Sequence, residues 1–125
     1  MNVKKLEKIN EKYKIYENLI IAREARKTIR YIEKNTENFP NKNRVLKDKI
    51  ISYCYSILEN IYRANIFQDK SDKKEIIVNI QMLNFYIEEA LRKDLLTNKK
   101  FESYTNHLLQ IDKMVRSWFK YEEIK

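Results

Sequence analysis

The chain has 125 residues, with 26 Lys and Arg against 18 Asp and Glu, and a formal net charge of +8. It contains no glycine, one proline and one cysteine, so glycine-rich phosphate loops, glycine hairpin turns and an internal disulfide are excluded. This length suits one domain, and the positive charge favours an anionic partner, nucleic acid first. The alternative is a solvated, lysine-rich surface that only reflects AT-rich coding DNA.

The first segment predicts one long helix, or two nearly continuous helices, over residues 1–38. Apolar residues recur there at spacings of three and four, which is typical of an amphipathic helix. They are Leu6, Ile9, Tyr13, Tyr16, Leu19, Ala22, Ile29 and Ile32. We interpret residues 1–12 as a basic extension of this helix and residues 13–122 as the folded domain. Phe39-Pro40 ends the segment, because a residue before proline avoids helical geometry.

The second predicted helix runs from a cap at Asn41 to about Phe67 and is the segment around which the others pack. Its predicted buried face is broad, which indicates burial against several neighbours. The face comprises Leu46, Ile50, Tyr53, Ile57, Ile61 and Ala64, widened by Val45, Cys54 and Leu58.

A third helix is predicted over about residues 72–96, capped by Ser71 or Asp72. A fourth is predicted over about residues 99–122, capped at Thr97-Asn98. The third helix presents Ile76, Ile80, Leu83, Ile87 and Ala90, thickened by Ile77, Met82, Phe85, Tyr86 and Leu91. The fourth presents Phe101, Tyr104, Leu108, Ile111, Val115 and Trp118. Short connectors between amphipathic helices predict an all-α fold, an antiparallel up-down four-helix bundle.

Catalytic chemistry is not indicated. A di-iron bundle has Glu three residues before a histidine, but Tyr104 stands there before His107, the only histidine. Helical-bundle ribonucleases have Arg five residues before their histidine, and that position is Glu102 here. Cys54 has no nearby His or cationic residue in sequence and is expected to be an inert, buried thiol. We expect no enzyme activity, no metal and no cofactor. With no signal-peptide core and no apolar run near ~20 residues, we also expect a cytoplasmic protein without membrane contact.

The basic residues of the first segment are patterned. Five of them, which we call the cationic stripe, recur at spacings of one to four and lie within about three helical turns: Arg23, Arg26, Lys27, Arg30 and Lys34. Only Glu24 and Glu33 offset them locally. Such a stripe can follow a nucleic-acid backbone, since guanidinium groups pair with phosphates. A solvated helix face with a chance excess of cations is the alternative.

The remaining candidates are scattered through the other helices. Lys113, Arg116 and Lys120 form a shorter basic stripe, and Arg63 and Arg92 lie near helix ends, where they can instead cap carbonyl groups. We predict nucleic-acid contacts for Arg63, Arg116 and Lys120, and partner contacts for Tyr62, Arg92, Trp118 and Phe119. Most aromatic residues fall on apolar faces, although Tyr16, Tyr31, Tyr55 and Tyr62 are candidates for an interface. Trp118 either closes the core or anchors a partner.

Three short motifs resemble one family of small bacterial bundle proteins. Residues 38–44, NFPNKNR, resemble its FPK-x-x-R turn, residues 61–65, IYRAN, resemble its I-x-RAN helix ending, and residues 109–120 resemble its closing L-x-EIGRMLGGWIK. This family is Avd, the accessory variability determinant of diversity-generating retroelements, related to the four-helix-bundle proteins of ribosomal RNA intervening sequences. The likeness covers about residues 13–121. Lys113 and Ser117 replace the two glycines of the closing motif, so the subunit contact there is expected to differ in detail.

The resemblance implies a homopentameric ring that binds a reverse transcriptase and its structured template RNA without being catalytic. Arg63, Trp118 and Lys120 match the family's arginine, tryptophan and following basic residue. One alternative is an intervening-sequence bundle protein that binds nucleic acid without a polymerase partner. Another is a helical protein–protein interaction module whose apolar surface binds another helix bundle.

Overall fold

A computed structural model describes the backbone of residues 2–13 and 19–124, and the side chains of residues 2–9 and 19–118. This part of the chain is mostly helical and contains no strand. Its α-helices are α1 (Val3–Tyr13), α2 (Ile20–Thr36), α3 (Arg44–Phe67), α4 (Lys70–Arg92) and α5 (Asn98–Ile124). The predicted all-helical class is therefore confirmed for the described residues. The first segment forms two helices, and residues 14–18 between them, including Tyr16, lie outside the described part.

Helices α2 to α5 surround one apolar core. In this arrangement α3 contacts α2 and α4, while α5 contacts α4 and α2. The ring of Tyr53 stacks on that of Tyr86, and Asn79 Nδ2 donates to Ser56 Oγ at 3.0 Å. The residue numbers of these contacts rise along α3 and fall along α4, so the two helices are antiparallel. The contacts between α2 and α3 follow the same antiparallel order.

The predicted buried face of α3 is confirmed at most positions. Fully buried are Ile50, Cys54, Ile57, Ile61 and Ala64, whereas Leu46, Tyr53 and Leu58 are half-buried against the core. Val45 was predicted to widen this face, and that prediction is wrong because its side chain is 75% exposed. Each residue turns a helix by about 100°, so Val45 points well away from the line that contains Leu46 and Ile50.

The buried face of α4 is likewise confirmed along one line. Ile76, Ile80, Leu83, Ile87 and Ala90 are buried, and Ile77 and Tyr86 are packed at its side. Phe85 was predicted to thicken this face, and that prediction is wrong because the side chain is 49% exposed. It lies two residues from both Leu83 and Ile87, about 200° around the helix from each, and so faces outwards.

Two predicted helix caps are wrong. Asn41 lies in a short 3-10 turn, Asn41–Asn43, that precedes α3, so it does not cap the helix. Helix α4 is capped by Asp69, whose Oδ1 accepts a hydrogen bond from the Ser71 backbone N–H at 2.9 Å. Neither Ser71 nor Asp72 is the cap, because the chain reverses within two residues after α3 and the next helix already begins at Lys70.

The junction between α4 and α5 makes a tight turn without glycine. Helix α4 ends at Arg92, four residues earlier than predicted. Asp94 takes the left-handed conformation with φ of 59°. Its N–H donates to the Leu91 carbonyl and that of Leu95 to the Ala90 carbonyl, at 3.0 and 2.9 Å, the pattern of a Schellman motif. Asp is among the residues that tolerate this conformation. The predicted cap of α5 is confirmed, since Thr97 Oγ1 accepts from the Lys100 N–H at 3.1 Å.

Candidate nucleic-acid interface

Four members of the cationic stripe lie on the outer side of α2. Arg23, Lys27, Arg30 and Lys34 are exposed and are spaced by four, three and four residues, which places them on one face. The opposite face of α2 carries Ala22, Ala25, Ile29 and Ile32, all buried in the core. Burial of this apolar side therefore fixes the orientation of the helix and directs the four cations away from the core. At 1.5 Å per residue, they extend along about 17 Å of the helix.

Arg26, the fifth member, contacts another helix of the protein. Its side chain is half-buried, its Nη2 donates a hydrogen bond to the Tyr62 hydroxyl, and its guanidinium carbon lies 5.6 Å from the Tyr62 ring centroid. The hydrogen bond and the cation–π contact tie α2 to α3. Sequence reasoning placed Arg26 among the nucleic-acid contacts and Tyr62 among the partner contacts. The structure brings the two residues together, so each has a partner within the fold.

The two acids beside the stripe are also engaged. Glu24 Oε1 lies 3.5 Å from Lys27 Nζ, an exposed ion pair that contributes little to stability. Glu33 accepts from the Tyr55 hydroxyl at 3.0 and 3.1 Å through its two carboxylate oxygens. This hydrogen bond raises the pKa of Tyr55, and the nearby charge of Arg30 opposes the rise. The outer side of α2 thus retains an excess of positive charge around Arg30.

The two arginines near helix ends form ion pairs within their own helices. Arg63 lies 3.8 Å from Glu59, and Arg92 lies 3.7 Å from Glu89. Both pairs are on exposed surfaces, where such contacts are weak and easily exchanged for a phosphate.

On α5, Arg116 Nε donates to Asp112 Oδ2 at 2.8 Å, the shortest distance among these ion pairs. Lys113 lines an open cleft of about 510 Å³ between α5 and the start of α2, together with Leu19, Ile20 and Met114. The side chains of Lys120 and Phe119 lie outside the described residues.

Trp118 packs half-buried against the core, with Lys73 Nζ only 4.2 Å from its ring centroid. Lys73 itself is completely buried, which sequence reasoning missed. A signal was present, because Lys73 lies three residues before Ile76 and so continues the buried line of α4 by one turn. The contact places the Trp118 ring over a buried cation, where the start of α4 meets the last turns of α5.

Cys54 and His107, the two residues considered for catalysis, lie in different environments. Cys54 is fully buried, and burial together with the charge of Glu33 raises its thiol pKa from 9.0 to about 12. His107 is half-buried, with its ring 5.4 Å from that of Tyr31. Within the described part of the chain, no group of three His, Cys, Asp or Glu residues is arranged to hold a metal ion. Among the same residues, no helix has both the length and the apolar character needed to cross a membrane.

No protein-family model matches this chain, and comparison with curated proteins finds no significant match.

Proposed function

We propose that this protein is a non-catalytic, RNA-binding accessory protein. The supporting observation is the outward row of Arg23, Lys27, Arg30 and Lys34 on a helix whose opposite face is buried. Cations at regular intervals on a rigid helix suit the regular charges of a phosphate backbone. Arg63 and Arg116, whose side chains are exposed, add to the proposed RNA-binding set, and Lys120 belongs to it by its sequence match.

The proposal extends to the partner and the assembly. The resemblance of residues 38–44, 61–65 and 109–120 to the Avd family supports a reverse transcriptase as partner and a cytoplasmic homopentamer as the working form. The antiparallel packing of consecutive helices around one core supports an up-down four-helix bundle as the subunit. In this role the protein supports mutagenic complementary-DNA synthesis by holding template and polymerase together.

A test of RNA binding begins with the affinity of a structured stem-loop RNA at increasing salt. If four phosphates are neutralised by the stripe, the slope of log K against log salt is about −3, and affinity falls roughly 50- to 150-fold between about 50 and 200 mM. The double variant Arg30→Gln, Lys34→Gln should lower the magnitude of the slope by about 1.4 to 1.8. Lys70→Gln, Lys74→Gln, which removes two exposed charges at the start of α4, is the matched control.

Assembly is tested on the same samples by light scattering. A particle of five times the 15.4 kDa chain mass that releases RNA as salt rises is expected. A monomer that binds no RNA refutes the proposal. An equal response of the two double variants refutes the assignment of the stripe.

A second function is favoured by one observation on α1. Val3, Leu6 and Ile9 lie on this helix with their side chains exposed, and an apolar helix face of this kind suits a helical protein partner. The second candidate is therefore a protein–protein interaction module. It predicts partner binding that is insensitive to salt and is lost in Leu6→Lys, whereas RNA affinity should be unchanged in that variant.

A further inference from the structure

A cleft between the start of α3 and the end of α4 combines cations with an exposed aromatic ring. We call it the basic-aromatic cleft. Its volume is about 370 Å³, and the lining residues that matter here are Lys42, Val45, Lys49, Phe85, Tyr86 and Lys93. These residues are distant in sequence and meet because α3 and α4 are antiparallel. Val45 and Phe85 were both predicted to be buried and are exposed.

The aromatic side of the cleft is held in place from behind. The Phe85 ring lies 5.2 Å from the Tyr86 ring at 68°, an edge-to-face contact. Tyr86 in turn stacks on Tyr53 at 5.7 Å and 25°, and both of these tyrosines are packed against the core. Phe85 is therefore an aromatic side chain that is supported on one side and 49% exposed. An exposed ring fixed in this way can stack with another flat group.

The charges around Phe85 are mainly positive. Lys42, Lys49 and Lys93 contribute three cations, and the acid among the lining residues is Glu89. Glu89 lies 3.7 Å from Arg92, so its charge is partly offset by a neighbour on its own helix. The cleft therefore favours a ligand that carries negative charge beside a flat, apolar group.

The size of the cleft selects among such ligands. A volume of about 370 Å³ is near the lower end of the ~300–1,000 Å³ range of small-ligand sites. A helix of a protein partner is about 10 Å wide with its side chains, so one flat group with its flanking charges fits better than a helix face. Bases in a duplex are stacked on one another, and only unpaired bases can stack on a protein ring.

We propose that the basic-aromatic cleft binds an unpaired nucleotide of single-stranded RNA, with its base stacked on Phe85 and its flanking phosphates at Lys42, Lys49 and Lys93. This inference rests on the proposed RNA-binding function and names the form of RNA that the protein selects. The cleft lies at the end of the molecule where α2 leads into α3, and Lys34 of the cationic stripe lies near that same end. A backbone that follows the stripe can therefore deliver a single-stranded flank to the cleft.

The test compares a single-stranded RNA that carries 2-aminopurine with a blunt duplex of equal length, each titrated with full-length protein. Phe85→Ala should weaken single-strand binding by about 5- to 150-fold, the range found for loss of one base–aromatic stack, and should leave duplex binding unchanged. Phe85→Tyr retains a ring and should retain the affinity and the quenching of 2-aminopurine. Val78→Ala is the matched control, since Val78 is 52% exposed on the same helix and outside the cleft.

The outcomes separate this inference from the function on which it rests. If Phe85→Ala binds the single strand as tightly as Val78→Ala, the inference is overturned and the RNA-binding function stands. Equal losses for single strand and duplex also overturn it. If the wild-type protein binds neither RNA, both fail together. An acidic peptide whose binding requires Phe85, when RNA binding does not, would assign the cleft to a protein ligand and overturn the inference.

Discussion

Arg26 and Arg30 lie one helical turn apart on α2, yet the structure predicts opposite consequences for their replacement. Arg26 donates to the Tyr62 hydroxyl and lies over its ring, so it connects α2 to α3. Arg30 is exposed on the outer side of α2. We therefore expect Arg26→Gln to lower stability without changing the salt dependence of RNA binding, and Arg30→Gln to do the reverse.

The magnitudes follow from the contacts. A hydrogen bond from a charged group contributes about 1.5–3 kcal/mol and a partly exposed cation–π contact about 0.5–1 kcal/mol. Since the two share one side chain and are not additive, Arg26→Gln should lower the free energy of unfolding by about 2–3 kcal/mol. For a chain of this size that corresponds to a fall in Tm of about 8–12 °C. Arg30→Gln should change stability by less than ~0.5 kcal/mol and reduce the salt slope by about 0.7–0.9.

Urea unfolding followed by circular dichroism measures the stabilities, and fluorescence anisotropy at several salt concentrations measures the slopes. Tyr62→Phe is the companion variant, because it removes the hydroxyl that accepts from Arg26 and keeps the ring. In the double variant the two losses should be less than additive. If Arg26→Gln is as stable as the wild type while its salt slope falls, Arg26 faces solvent and the connection between α2 and α3 is refuted.

Three further predictions concern the interior and the helix ends. Lys73→Met and Trp118→Leu should be coupled by about 1–2 kcal/mol in a double-mutant cycle, since the buried ammonium lies 4.2 Å from the ring centroid; additive effects would show that the contact contributes nothing. The Cys54 pKa of about 12 in the folded protein exceeds its ordinary 9.0, so above about pH 9 the unfolded chain loses a proton that the folded chain keeps. The thiol's contribution to stability is complete below that pH. Between about pH 9 and 12, the free energy of unfolding of the wild type, measured in urea, should fall by about 1.4 kcal/mol per pH unit relative to that of Cys54→Ala. Parallel pH profiles of the two proteins would contradict this. Gln68 ends α3 with φ of 54°, and Gln68→Gly should raise the free energy of unfolding by about 0.5–1 kcal/mol because glycine adopts this conformation without strain; a lower Tm would contradict it.

The periodicity of the sequence predicted the helical class and most of the buried faces, although it left open whether the first segment is one helix or two. Ile50, Ile57 and Ile61 on α3 are buried as their spacing predicted, and Phe39-Pro40 separates α2 from α3. Apolar spacing reports the angle of each residue around its own helix axis, and one broad apolar face can be buried in only one direction. The same reasoning placed the outward row of cations on α2, from Arg23 to Lys34.

Only the tertiary structure decided which residues of different helices meet. Arg26 and Arg30 belong to one sequence pattern, and the position of α3 gives Arg26 a partner. Lys73 is buried in line with the apolar residues of α4, although its charge favours exposure, and the Trp118 ring covers its ammonium group. The basic-aromatic cleft joins Lys49 to Phe85 across 36 positions of sequence. Periodicity contains no information about the neighbour that a helix face will contact, because that depends on how the helices pair and in which direction they run.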